Sequence, residues 1–184
     1  EAGGNSGAGA AAMNLHQILV DCITSASANV FTTMLGVELR QGEVSVETGT
    51  PDANDGVVSL IGLAGSWTGA GSVSCTPALA CRICSQMLMT ESTAVDEEVL
   101  DAVAELTNII IGSVKTDLER HLGPLGLSIP TVVFGRNFKT RSAGNSEWIV
   151  VRFHWDDQCL LVKLCLARTE RALHPHRHSA AHHY

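Results

Sequence analysis

The chain of 184 residues is 45% apolar and 17% charged, which excludes wholesale disorder and allows one domain with a substantial core. Its formal net charge of −7 at pH 7 excludes a nucleic-acid footprint, which needs clustered Lys and Arg. No uninterrupted apolar run approaches the roughly 20 residues of a membrane span, and residues 1–12 lack the basic start and apolar stretch of a secretory signal. The expectation is a cytoplasmic protein with no membrane contact.

In chain order, residues 1–12 (EAGGNSGAGAAA) are expected to form a flexible extension ahead of a domain spanning 13–168. Residues 14–35 repeat apolar side chains at helical spacing, with Asn14 as the cap and Gly36 as the stop. Residues 37–47 alternate around a central Gly42, which predicts strands with a turn. TGTPDANDG is a loop by composition. Val57–Ala64 and Ser66–Cys75 read as two strands of a hairpin meeting at Gly65.

Thr76-Pro77 opens a helix over 77–89, since Pro at the first helical position loses no needed donor. After TEST comes the longest helical pattern, about 95–121, ended by GPLGLSIP. Thr131–Phe134 is a short strand, and Trp148–His154 with Cys159–Ala167 form a second hairpin across WDDQ. Helices mixed with antiparallel hairpins predict an α+β fold with a layered sheet. The two halves echo each other faintly: a long helix precedes paired strands in each, and Asn29 and Asn108 hold similar places. Residues 169–184 are expected to be a flexible tail, His-rich from His174. Such a tract can chelate transition metals but supplies no rigid geometry.

Among the six cysteines, Cys81 and Cys84 form a C-x-x-C, but no second pair or nearby His completes a zinc set. Buried free thiols are the better account. His16, His121 and His154 show no metal spacing, so no metal is assigned. Gly69-Ala-Gly71 lies in a strand pattern without a third Gly or a following helix, and reads as a strand feature rather than a dinucleotide loop.

The long helix is the informative element. At about 100° per residue, Leu100, Val103, Thr107, Ile110, Ile111, Val114 and Leu118 share a core face. Asp101, Glu105, Asn108, Gly112, Thr116 and Glu119 fall on the opposite face. Glu105 and Asn108, three apart, emerge side by side. Gly112 weakens the helix interior by about 1 kcal/mol relative to Ala, which invites a reason such as close approach by another molecule. Ile109 borders the stripe and can add apolar contact there. A Glu and an Asn on a solvated face are also the commonest arrangement a surface helix has. Spacing alone supports nothing beyond an interaction helix.

The residues do carry a resemblance. Glu105-Leu-Thr-Asn108-Ile-Ile-Ile-Gly112-Ser-Val-Lys-Thr-Asp-Leu resembles the signature helix of the CheC/CheX/FliY phosphatases, in particular the CheX-like branch. Pro130 in LSIPTVVFG matches the family's Pro some twenty residues on, Asn29–Gly36 resembles the first CheX-like helix, and VSLIGLAGSWTGAGSVSC resembles the first hairpin. The likeness covers about residues 14–167. It implies a CheC-like layered fold with an antiparallel sheet, two long helices and halves related by a pseudo-two-fold.

It also implies a phosphatase acting on the aspartyl phosphate of a CheY-like response regulator. Asn108 would orient the attacking water and Glu105 would pair with the receiver's active-site Lys, with Asp101, Ile109 and Gly112 contacting the partner. Mg²⁺ would belong to the receiver, and the phosphatase would need no cofactor of its own. Ala26 stands where a first-half Glu would be, which implies a single site. A homodimer through sheet edges is compatible with the likeness. The competing readings are a non-catalytic module of the same fold, docking a receiver or a chemotaxis/flagellar partner, and a structural domain whose exposed helix has no partner.

Overall fold

The computed structural model describes residues 6–48, 54–140 and 147–169. The first five residues and the His-rich tail lie outside them. Helix α1 runs Ser6–Val30 and continues as a π-helical turn, Phe31–Leu35. Gly36 ends it in the left-handed conformation at φ 64°, its N–H donating to the Phe31 carbonyl. Asn14 therefore lies inside the helix rather than capping it. The Ala-rich segment upstream has high helix propensity but no apolar period to reveal it. By length and average apolarity Asn14–Leu35 could cross a membrane, although polar residues interrupt its apolar run. Half of that stretch is buried, and α1 packs on the second long helix, as a core helix does.

Seven strands and two more helices follow among the described residues. They are β1 (Arg40–Glu47), β2 (Asn54–Gly65), β3 (Trp67–Cys75), α2 (Pro77–Leu88), α3 (Glu97–Leu122), β4 (Leu125–Leu127), β5 (Thr131–Phe138), β6 (Trp148–Trp155) and β7 (Gln158–Arg168). β1 is a single strand with a bulge between Gln41 and Val44, where two strands and a turn were expected around Gly42. Both predicted hairpins are present, turning at Ser66 and at Asp156-Asp157. The Thr76 hydroxyl caps α2 by accepting from the Leu79 N–H at 3.1 Å.

One antiparallel sheet results, in the order β1-β6-β7-β3-β2-β4, with β5 also paired to β2. Alternation along the strands sends Ile149, Val151, Phe153, Leu160, Val162 and Leu164 into one face, where α1, α2 and α3 cover them. The opposite face carries Arg152 and Lys163, and Lys163 reaches Glu47 at 2.8 Å.

The pseudo-two-fold is visible in the pairing. Hairpins β2–β3 and β6–β7 meet through β3 and β7 at the centre. β1, which follows α1, pairs with β6 of the other half, and β5, which follows α3, pairs with β2 of the first. The α+β layered fold with two long helices is as expected, with α2 as a shorter third.

Candidate active site on the outer face of α3

Helix α3 starts where Asp96 accepts from the Val99 N–H at 3.0 Å, with Glu97 and Glu98 in the first turn complementing the helix dipole. Its inner face is fully buried: Val99, Val103, Leu106, Ile110, Ile111, Val114 and Leu118 all have no exposed surface. Leu106 joins the stripe expected from periodicity, and Leu100 is only half-buried. Thr107 is buried too, its hydroxyl donating back to the Val103 carbonyl at 2.8 Å. The helix sits close to the sheet because Gly71 of β3 leaves room for Ile111; a Cβ there would lie 2.8 Å from its Cδ1. Gly71 is thus a seat for α3.

The inner face fixes the outer one. Asp101, Glu105 and Asn108 are exposed, Gly112 and Ile109 are half-exposed, and Ile109 also packs against the core. Among the described residues, the side-chain hydrogen bonds of this helix beyond the Asp96 cap involve Thr107, Thr116 and Glu119, and its ion pairs are Lys115–Glu119 and Asp117–Arg120. Neither set includes Glu105 or Asn108. Their side chains are free to meet another molecule.

Glu119 has a different task. Its carboxylate accepts from the Leu125 N–H at 2.9 Å and pairs with Lys115 at 3.0 Å, and both hold its pKa below the ordinary value. It ties the end of α3 to β4.

Among the described residues nothing packs against Gly112 closely enough to require a glycine. A Cβ there would meet only Leu127 Cδ1, at an ordinary 3.8 Å. Ala26, at the matching place in α1, is buried, so the first half presents no carboxylate beside the exposed Asn29.

The other sequence candidates do not converge. Cys81 and Cys84 are buried in α2, and burial with Cys81 nearby pushes the neighbouring Cys75 thiol up to about 12. All six cysteines are free. Among the described residues no group of three or more His, Cys, Asp or Glu side chains is placed to hold a metal ion.

One exposed residue escaped the sequence reading. Ile129, inside the helix-breaking segment and next to Pro130, is 87% exposed between β4 and β5. Nothing in local pattern marks it; its exposure is set by pairing to β2, more than sixty residues away in sequence.

The two-layer fold is that of CheC-like chemotaxis proteins. The family model for the chemotaxis phosphatase CheX matches residues 57–154. The CheY-P phosphatase CheX of Thermotoga maritima is 30% identical over 128 residues, 68% of this chain and 81% of that protein. The chain belongs to the CheX chemotaxis phosphatase family.

Solved structures agree. Chemotaxis protein CheX from Vibrio vulnificus superposes with a TM-score of 0.72 at 26% identity, covering 81% of this chain and 99% of that one. A CheX–CheY–BeF3–Mg²⁺ complex from Borrelia burgdorferi superposes with a TM-score of 0.69 at 26% identity, covering 82% and 98%.

Proposed function

We propose that this protein hydrolyses the aspartyl phosphate of a CheY-like response regulator, with Asn108 and Glu105 as its catalytic pair. The observation that carries this reading is that both side chains are exposed, adjacent and unengaged on a helix whose opposite face is locked into the core. The Borrelia complex, in which a relative accompanies CheY with BeF3 and Mg²⁺, supports the choice of partner.

An acyl phosphate is already activated for displacement, so the phosphatase must chiefly place a water in line with the scissile bond. A carboxamide is no useful base, but its oxygen accepts from a water while its nitrogen donates. Asn108 orients that water. The water's oxygen bonds to phosphorus as the bond from phosphorus to the Asp oxygen breaks, and its two protons leave on the inorganic phosphate, freeing the Asp carboxylate. Glu105 pairs with the receiver's active-site Lys and fixes the helix in register. The receiver supplies Mg²⁺, which offsets charge on the transferring phosphoryl group. Asp101 and the half-exposed Ile109 flank the pair as partner contacts, and Gly112 lets the receiver approach the backbone.

Adding the protein to a phosphorylated receiver should speed the loss of its phosphate, and Glu105→Ala should raise the half-saturating receiver concentration as well as slow the reaction. Clear binding with unchanged decay would identify a docking module instead.

Gly112→Ala separates stability from function. The variant should be about 0.5–1 kcal/mol more stable in urea unfolding, because Ala is the better helix former and the space is free. It should nevertheless be a poorer phosphatase. Equal activity would show that close approach at Gly112 is not needed.

A further inference from the structure

The segment between β4 and β5 has an unusual construction. Both strands pair with the same edge of β2: Leu127 faces Leu63, and Thr131 faces Leu60. Between these pairs, Ser128, Ile129 and Pro130 stand opposite only Ile61 and Gly62. Three residues facing two must push one outward, as in a bulge. The bulge is pinned at Ser128, whose hydroxyl accepts from the Gly62 N–H at 2.8 Å and donates to the Ile129 carbonyl at 3.1 Å. The Ser128 N–H donates to the Gly62 carbonyl at 2.9 Å. Ile129 is therefore 87% exposed on a bulge that these three hydrogen bonds fix to β2.

Its position along α3 follows from β4. Leu125 lies at the level of Glu119, whose carboxylate takes its N–H, and Leu127 lies at the level of Gly112. The strand thus runs back toward the start of the helix. The chain from Leu127 to Thr131 covers only the three-residue advance of β2 from Leu63 to Leu60, about 10 Å, so Ile129 lies about 5 Å beyond Leu127, close to one helical turn of about 5.4 Å. One turn before Gly112 is Asn108.

We infer that Ile129 is an apolar anchor for the receiver, seated beside Asn108 and packing on an apolar side chain that borders the receiver's phosphorylated Asp. This rests on the proposed phosphatase reaction and adds a contact outside the helix. The occupant is the receiver because the bulge is continuous with the surface that presents Asn108. A receiver seated there covers an aliphatic side chain that otherwise stands in water. Ile129 makes no contact with the reacting atoms, so its effect is on association.

The test uses the full chain and a CheY-type receiver of the same organism, phosphorylated with acetyl phosphate for kinetics and loaded with beryllofluoride and Mg²⁺ for binding. Ile129→Ser should raise the half-saturating receiver concentration about tenfold while the limiting rate falls less than twofold, and Ile129→Val should recover most of the loss. The beryllofluoride-loaded receiver should bind Ile129→Ser about tenfold more weakly. An unchanged half-saturating concentration in Ile129→Ser overturns the inference, as does a loss confined to the limiting rate. If the parent chain binds the loaded receiver without hastening decay, the proposed reaction fails alone, and weaker binding by Ile129→Ser still upholds the anchor. If the parent chain does not bind the receiver, both fall.

Discussion

Asn108→Ala is expected to lose most of the acceleration that the protein gives to receiver dephosphorylation, about 10²-fold in limiting rate, while the half-saturating receiver concentration changes little. The split follows from the proposed roles. Asn108 orients a water that matters only as the phosphorus bond forms, whereas Glu105 holds the complex together. Asn108 is exposed and makes no hydrogen bond among the described residues, so its replacement should leave the unfolding midpoint unchanged or slightly raised, Ala being the better helix former. Single-turnover decay of the phosphorylated receiver over a range of phosphatase concentrations measures both quantities. Near-normal turnover in Asn108→Ala would remove the amide from the mechanism. Asn108→Asp should do no better than Ala, because a carboxylate there faces the anionic phosphoryl group.

Phe31→Ala should cost about 3–5 kcal/mol of folding stability, read as a lower urea midpoint. Phe31 is fully buried where α1 passes into its π-helical turn. Its ring meets Trp155 edge-on, with centroids 6.1 Å apart and planes at 87°. On Trp155 lies the Arg82 guanidinium, 4.0 Å from the ring centroid, and Arg82 also pairs with Asp156 at 2.6 Å. This stack joins α1, α2 and the β6–β7 turn. Deleting Phe31 leaves a cavity beneath Trp155 and removes a contact between the two halves. A cost below about 1 kcal/mol would mean that the neighbours collapse into the space.

The legible and illegible parts of this chain differ for physical reasons. α3 could be read almost to the residue because its apolar positions keep the helical period over more than six turns. The hairpin β2–β3 was equally plain, with Gly65 between two β-rich runs. The start of α1 was not, because Ala and Gly carry no apolar period and Asn14 imitates a cap. β1 was split in two because a bulge at Gly42 and a turn use the same residue type. β4 and the full length of β5 were hidden because their partner β2 is remote in sequence. At the candidate site, periodicity alone placed Glu105 and Asn108 together on an outward face. Their proposed chemistry came from the family likeness. Ile129 was out of reach, since its exposure exists only once two strands have paired with one edge.

The exchange of outer strands between the halves bears on how the chain folds. Glu47 meets Lys163 across 116 positions of sequence, and among the described residues β1 pairs with a hairpin made more than ninety residues later. Such closures set back large loop entropy before any pairing rewards it, so sheet assembly should be slow and should wait for the final hairpin. A chain emerging residue by residue holds β1 as an unpaired edge until β6 appears. Severed in the connection after α2, the two pieces would still be interlocked, each holding the strand that completes the other.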